Sequence, residues 1–520
     1  MNDMKKEQER EKLQKAIWGI ADDLRGSVDG WDFKSYVLGT MFYRFISENL
    51  ASYINKGEWD AGNSSFNYAD ISDDEAEEAR DGLVEEKGFF IPPSELFCNV
   101  CKRAKDDDNL NTTLERIFNH IEDSAKGSDS ESSFAGLFDD FDVNSNKLGA
   151  TVAKRNEKLV KLLEGVKNMS LGDYQSNTID AFGDAYEYLM SMYASNAGKS
   201  GGEFYTPQEV SKLLVLISIL GKKEIENIYD PACGSGSLLL KAAKILGKDG
   251  VRQGYYGQEV NVTTYNLCRI NMFLHDIDYD KFNISCEDTL VSPQHIDDGP
   301  FEAIVSNPPY SIKWVGDDDA ALINDPRFAP AGVLAPKSKA DLAFIMHSLS
   351  SLSSNGTAAI VCFPGIMYRG GAEQKIRKYL IDNNFVDCII QLPSNLFFGT
   401  SIATCIMVMK KGKQDNNILF IDATNECVKV TNNNKLSDEN ISRIVNIIEK
   451  REDEQYIAHL ASYGEVKENN FNLSVSTYVE AKDAREKTDI VKLNAEIKRI
   501  VTKEQVLRDS IDSIITEIEV

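Results

Sequence analysis

The sequence predicts an α/β protein: a doubly wound, mostly parallel sheet of seven strands, with a helical N-terminal domain and a helical, coiled-coil-like C-terminal tail. Three observations carry this. Between residues 207 and 422, short apolar runs alternate with helical stretches, the pattern of strands joined by crossover helices. Residues 1 to 150 show helical periodicity and no strand series. From Ile490 onward, apolar residues fall at alternating steps of three and four.

At the N-terminus, Glu7–Leu24 carries Leu13, Ile17, Ile20 and Leu24 at helical spacing. Ser35–Leu50 reads as a helix apolar on one side, through Tyr36, Val37, Phe42, Phe45 and Ile46. The acidic run Asp73–Glu78 reads as a solvated face, and Gly127–Ser133 as a loop. Ile179–Ala194 is a further amphipathic helix, followed by a hinge-like segment over 196–202. Strands are then expected at 225–230, 254–258, 282–286, 301–306, 357–363, 385–392 and 404–410, with 418–422 as an addition. Helices are expected at 207–220, 236–246, 262–274, 338–352 and 371–382. In the tail, Leu493, Ile497, Ile500, Leu507, Ile511, Ile514 and Ile518 make a heptad seam, either packed on its own domain or docking another chain. The expected domains are 1–165 (helical), 170–430 (catalytic) and 431–520 (C-terminal helical region).

The 520 residues are 42% hydrophobic and 27% charged, ordinary globular composition. Nine cysteines at irregular spacing do not make a disulfide framework. The lone Cys98-Asn-Val-Cys101 has no second pair, and His275, His295 and His347 have no ligand spacing, so no metal is assigned. No apolar run reaches the roughly 18 residues of a membrane span, and the chain reads as cytoplasmic. The net charge of −25 is unsuited to holding a polyanion unaided, so a nucleic-acid substrate would call for a local basic cluster or a partner chain. Lys337, Lys339 and Arg369 lie in loops after strands, where solvated surface charge is the simpler reading than phosphate contact.

The most informative stretch is Asn307-Pro308-Pro309-Tyr310, directly after the strand 301–306. Two consecutive prolines can continue neither a ladder nor a helix, so the strand must end at a stiff elbow. The carboxyl end of a parallel strand is where open α/β sheets bind ligands. An amide oxygen and a carbonyl there can accept both protons of a planar amino group, and the ring can stack on the heterocycle that bears it. A second constellation is Asp230-Pro-Ala-Cys-Gly-Ser-Gly236-Ser237, between a strand and a helix. Its glycines permit a tight turn and close backbone approach. Glu259 then stands at the end of the second strand, where nucleotide folds grip ribose hydroxyls, and Asp288 places another acid at the end of the third. The loop lacks a third glycine and the chain lacks GxxxxGK[ST], which disfavours dinucleotides and triphosphates. An adenosine without phosphates, cationic and held by carboxylates, fits better, and S-adenosyl-L-methionine has both properties.

DPACGSG, an acidic strand end and NPPY together resemble the amino-methyltransferases that act on adenine N6 or cytosine N4 of DNA. Gly201-Gly-Glu-Phe-Tyr-Thr-Pro207, ahead of the glycine loop, matches the gamma motif order. More specifically, the chain resembles the modification (M) subunit of type I restriction-modification systems, through Arg25–Phe33, Phe328–Asp341, Phe363–Gly371 and the C-terminal helix. The resemblance implies a class I, Rossmann-like S-adenosylmethionine-dependent methyltransferase fold. It implies adenine-N6 methylation of double-stranded DNA, with two M subunits on one specificity (S) subunit and restriction (R) subunits in the full nuclease. It places Asn307, Pro308, Pro309 and Tyr310 in catalysis. It places Glu203, Phe204, Tyr205, Thr206, Pro207, Gln208, Asp230, Ser235, Gly236, Ser237, Glu259 and Asp288 around the cofactor. NPPY also occurs in methyltransferases acting on protein glutamine or on guanine N2 of RNA, and a cofactor-binding scaffold inactive alone is a non-enzymatic alternative.

Overall fold

The computed structural model describes residues 11–20, 30–169, 182, 183, 185, 187–189, 206–397, 401–430, 433–481 and 490–518. The hinge 196–202 and most of the helix expected over 179–194 lie outside them. The described chain forms two units, Met1–Val479 and Glu480–Val520.

The N-terminal region is helical and is built around α1 (Gly30–Asp60). The sequence suggests one apolar side for this helix. In the structure every residue from Tyr36 to Ser47 is buried, because α2 (Phe97–Arg103) and α4 (Val152–Asn168) pack on the helix and Phe118 of α3 (Leu110–Ser124) meets Tyr43 edge-on at 5.5 Å. Gly39 lets Phe141 approach: a Cβ there would stand 2.7 Å from the Phe141 ring. Phe118 stacks on Phe138 at 4.4 Å between centroids, and Phe42 meets Phe273 at 5.8 Å. The N-terminal region thereby shares one apolar core with one face of the sheet.

The sheet has nine strands: β1 (Ile225–Asp230), β2 (Val251–Glu259), β3 (Phe282–Cys286), β4 (Phe301–Ser306), β5 (Leu352–Cys362), β6 (Val386–Gln391), β7 (Cys405–Lys410), β8 (Ile418–Asp422) and, after the hairpin β9 (Val428–Val430) and β10 (Asn433–Lys435), β11 (Ala458–Ala461). The order is β11-β8-β6-β7-β5-β4-β1-β2-β3. β7 is antiparallel to β5 and β6, and β11 to β8; the other pairs are parallel. Two strands extend the seven expected. One is the 418–422 run, and the other is β11, four residues containing His459 and too short to show alternation. β2 also starts three residues early, across a bulge at Gly254, where φ is +112° and a Cβ would lie 2.5 Å from the Lys281 carbonyl.

The helices on the sheet are α5 (Gln208–Ser218), which precedes β1, and the connecting helices α6 (Ser237–Leu246), α7 (Val262–Leu274), α8 (Asp341–Ser351) and α9 (Ala372–Asp382). They cover both faces, which is why alternate residues of β4 enter different cores: Ala303 and Val305 one, Ile304 the other. α10 (Asp438–Lys450) packs against α5. From β1 the chain runs one way to β2 and β3, and the other way from β4 onward. The crevice at the carboxyl ends of β1 and β4 is the switch point where such sheets bind ligands. α11 (Ile490–Ile518), in the second unit, is exposed along its whole described length.

Candidate active site

Asp230 ends β1 with no exposed surface. Its Oδ1 accepts from the Ala232 amide at 3.0 Å and from Ser306 Oγ, at the end of β4, at 2.8 Å. Its Oδ2 is buried with no hydrogen-bond partner. Burial lifts this carboxyl from the usual range to about 7. The loop that follows turns through Gly234 and Gly236 at φ +54° and +78°. A Cβ on Gly236 would lie 2.8 Å from Cys268 Sγ, so glycine is required there for both conformation and space. The loop is tied to β2: the Cys233 amide donates to the Gln258 carbonyl at 3.0 Å, and the Gly234 amide to Glu259 Oε2 at 3.1 Å. Glu259 Oε1 accepts from the Asn261 amide at 2.9 Å, and burial raises the Glu259 carboxyl above its ordinary value. One carboxylate therefore spans the glycine loop and the start of α7.

At the end of β4, Asn307 Nδ2 donates to Thr206 Oγ1 at 3.1 Å, and the Tyr310 hydroxyl donates to Asn307 Oδ1. The elbow closes at Ser311, a non-glycine residue at φ +52°, whose amide donates to both carboxylate oxygens of Asp341 at 3.1 Å. Burial pushes the Tyr310 hydroxyl well above its ordinary value, so it stays a neutral donor.

Between the two constellations lies a cavity of about 330 Å³. Thr206, Asp230, Ser237, Glu259, Asp288, Asn307 and Pro309 line it. Ser235 and Gly236 lie behind its wall: Ser235 is buried and its carbonyl accepts from Asn271 Nδ2 at 2.7 Å. Pro207 and Gln208 cap and open α5, while Pro308 is buried beneath the elbow. Asp288 is exposed, with Oδ1 accepting from the Leu290 amide. Glu203, Phe204 and Tyr205 lie outside the described residues.

Several lining groups carry no sequence signal that singles them out: Val260, Lys313, Trp314 and Phe344. Behind the wall, the buried Arg327 donates to the Thr289 and Leu290 carbonyls at 2.9 and 2.8 Å and contacts His347 Nδ1 at 3.1 Å. Burial and that guanidinium lower His347 to about 3, so it is neutral and structural. Lys337 is ion-paired with Asp317 and Asp318, and Arg369 with Glu373. Cys98 and Cys101 lie on α2 with free thiols, and no metal-binding cluster exists among the described residues.

The family model for N-6 DNA methylase matches residues 177–487, and that for the HsdM N-terminal domain matches residues 13–166. The type I restriction enzyme MpnII methylase subunit of Mycoplasma pneumoniae is 52% identical, covering 99% of this chain and 98% of its own. The MjaVII methylase subunit of Methanocaldococcus jannaschii is 32% identical over 68% of this chain and 63% of its own. Among solved structures, the type I restriction-modification methyltransferase subunit from Streptococcus thermophilus superimposes with a TM-score of 0.81 at 36% identity, over 91% of this chain and all of that one. A chain from a structure of a type I restriction-modification complex matches the fold at TM-score 0.63 and 18% identity, over 97% of this chain and 99% of that one. With the glycine loop and the NPPY elbow facing one cavity, these matches are decisive: the chain belongs to the type I restriction enzyme methylase subunits, methyltransferases with an HsdM N-terminal domain ahead of an N-6 DNA methylase module.

Proposed function

We propose that this chain transfers a methyl group from S-adenosyl-L-methionine to adenine N6 in double-stranded DNA, as the cytoplasmic modification subunit of a type I complex. The observation that carries this reading is the shared cavity: Asp230 and Glu259 line it together with Asn307 and Pro309. The residues present suit a cationic nucleoside. The unpartnered buried Oδ2 of Asp230 is an acceptor awaiting a charged donor, and three carboxylates surround a space near the lower size of ligand pockets.

When bound, the cofactor supplies a methyl group already activated on a sulfonium sulfur. Asp230 would accept from its ammonium, Glu259 from its ribose hydroxyls and Asp288 from its adenine edge. Glu203, Phe204, Tyr205, Thr206, Pro207 and Gln208 would line its pocket together with Ser235, Gly236 and Ser237. The target base must leave the stack, at a cost of roughly a few kcal/mol. Tyr310 would stack on it and recover about 1–3 kcal/mol. Asn307 Oδ1 and the Pro308 carbonyl would accept the amino protons and favour a pyramidal, nucleophilic nitrogen, while Pro309 stiffens the elbow. That interaction is stronger in the transition state than in the ground state, as catalysis requires. The rest is positioning.

Base reading is assigned to a specificity (S) subunit shared by two copies of this chain, with restriction (R) subunits completing the nuclease. This fits the net charge of −25, since phosphate neutralisation is the main source of duplex affinity. The domains are taken as 1–165, 170–430 and 431–520, the last docking the S subunit. The test is methylation by the chain with and without its S partner, using tritiated cofactor and mass spectrometry of the product bases. N6-methyladenine is expected only with the partner present. Asn307→Ala should abolish transfer and leave cofactor binding within about twofold; normal turnover in that variant refutes the assignment.

A further inference from the structure

We propose that Asp341 is the positioning residue for the catalytic elbow, acting through the backbone of Ser311. The proposal rests on the assignment of Asn307–Tyr310 to the chemistry. Two prolines stiffen the elbow at its centre, but nothing in their chemistry fixes where it ends. The chain leaves Tyr310 through Ser311 at φ +52°, a conformation disfavoured for a residue with a Cβ. Such a turn persists only where its surroundings over-determine it. Asp341 does so. It is 6% exposed, it stands in the first turn of α8, and both its oxygens accept from the Ser311 amide at 3.1 Å.

The same tie continues on both sides. The Ala340 amide donates to the Ile312 carbonyl at 2.9 Å, and the Trp314 amide to the Lys337 carbonyl at 3.0 Å. Trp314 Nε1 donates to the Pro336 carbonyl at 3.1 Å. Residues 311–314, leaving the elbow, are therefore laced to residues 336–341, entering α8. α8 itself is embedded in the core: Asp341 to Leu349 are all buried, and the helix packs on β5, the neighbour of β4. Asp341 is the one carboxylate in this lacing, and a charged acceptor holds an amide more firmly than a neutral one. Its reach is short. Ser311 is one residue from Tyr310 and four from Asn307, and a displacement of about 1 Å at a reacting group can cost 100-fold in rate.

A residue acting in this way has a signature that a merely stabilising one lacks. Loss of Asp341 should lower kcat while leaving cofactor affinity intact, because Asp230 and Glu259 are held by bonds to Ala232, Ser306, Gly234 and Asn261, none of which involves Asp341. A conservative variant that keeps one oxygen acceptor should recover most of the rate. The experiment uses the full chain assembled with its S subunit and measures single-turnover methylation, cofactor Kd and Tm for Asp341→Ala, Asp341→Asn and Asn307→Ala. The expected result is a loss of about 100-fold in turnover for Asp341→Ala, recovery to within about tenfold for Asp341→Asn, and cofactor Kd within about twofold throughout. Turnover of Asp341→Ala equal to the parent overturns the proposal. So does a loss in which cofactor affinity and Tm collapse together and Asp341→Asn gives no recovery. Full activity in Asn307→Ala would instead strike the underlying assignment of the elbow, so the two failures are separable.

Discussion

The Tyr310 hydroxyl donates to Asn307 Oδ1, the same oxygen assigned to the amino proton of the target base. Asn307 is also held by Thr206 through Nδ2, so its amide orientation is set before any substrate arrives. The tyrosine thus has two separable parts, a ring proposed as the stacking platform and a hydroxyl that occupies one lone pair of the acceptor.

Tyr310→Phe removes the hydroxyl and keeps the ring. A neutral hydrogen bond nets about 0.5–1.5 kcal/mol, so turnover should stay within roughly tenfold of the parent, in either direction. Tyr310→Ala removes the stacking platform, worth about 1–3 kcal/mol, and should cost roughly 5- to 150-fold. Single-turnover methylation of a duplex by the assembled enzyme checks both. Equal losses would show that the hydroxyl is the working group.

Asp230 makes the protein sensitive to pH near neutrality. Its carboxyl is lifted by burial from the ordinary 3.8 to about 7. Between those values the folded chain holds a proton that the unfolded chain has released. As far as this group is concerned, stability should therefore be greatest below about pH 3.8, fall progressively as pH rises from there toward 7, and level off above it. Binding of an ammonium-bearing cofactor needs the ionised form and should run the opposite way, tightening by about fivefold from pH 6 to 7, about tenfold from pH 6 to 8, and little beyond. Asp230→Asn should flatten both profiles and weaken cofactor binding at pH 8 by more than about tenfold. Calorimetric titrations at pH 6, 7 and 8, with thermal melts alongside, measure both signs.

The local pattern reveals some parts of this site and conceals others. Ile225–Asp230, Phe282–Cys286 and Phe301–Ser306 show their bounds in the sequence, because each is a short stretch with apolar residues at strand positions, flanked by polar or turn-forming residues. Asp230, Glu259 and Asn307 are legible because they end such runs. Asp341 is not: its partner, Ser311, is thirty residues away, and the bond goes to a backbone amide that leaves no trace in the sequence. Arg327 is hidden likewise, since it grips carbonyls at 289 and 290 rather than a side chain of recognisable type. α1 shows the opposite failure. Its apolar face is readable, but its burial on all sides depends on α2, α3 and α4 packing against it.

Glu259 is asked for two tasks, bracing the glycine loop and binding ribose. Its oxygens already accept from the Gly234 and Asn261 amides. Glu259→Gln replaces one acceptor with a donor facing an amide, so it cannot keep both bonds. Hydrogen bonds to a charged group are worth about 1.5–3 kcal/mol, which predicts a roughly 10- to 150-fold rise in cofactor Kd. The loss should appear in Kd, with turnover at saturating cofactor nearly retained, the reverse of the pattern expected for the elbow. Equilibrium binding and saturating-cofactor rates measured on one preparation separate the two.

The last prediction concerns α11. Leu493, Ile497, Ile500, Leu507, Ile511, Ile514 and Ile518 are each about half exposed or more. No residue of this helix is buried. An apolar seam of this length left in water is a docking surface by default. Heptad spacing selects a helix as its occupant, which the proposed function places on the S subunit. A chain ending at Val479 should keep the Tm of the first unit within a few degrees and bind cofactor normally, because the core and cavity are complete before that point. It should fail to co-purify with the S subunit, and methylation should be lost with the association. Leu507→Glu together with Ile511→Glu places two charges on the seam without shortening the chain and should weaken association by at least about 100-fold, from two desolvated or unpaired charges at roughly 2 kcal/mol each. Size-exclusion chromatography with light scattering reads the assembly directly, and an intact complex formed by the double variant would rule the seam out as the contact.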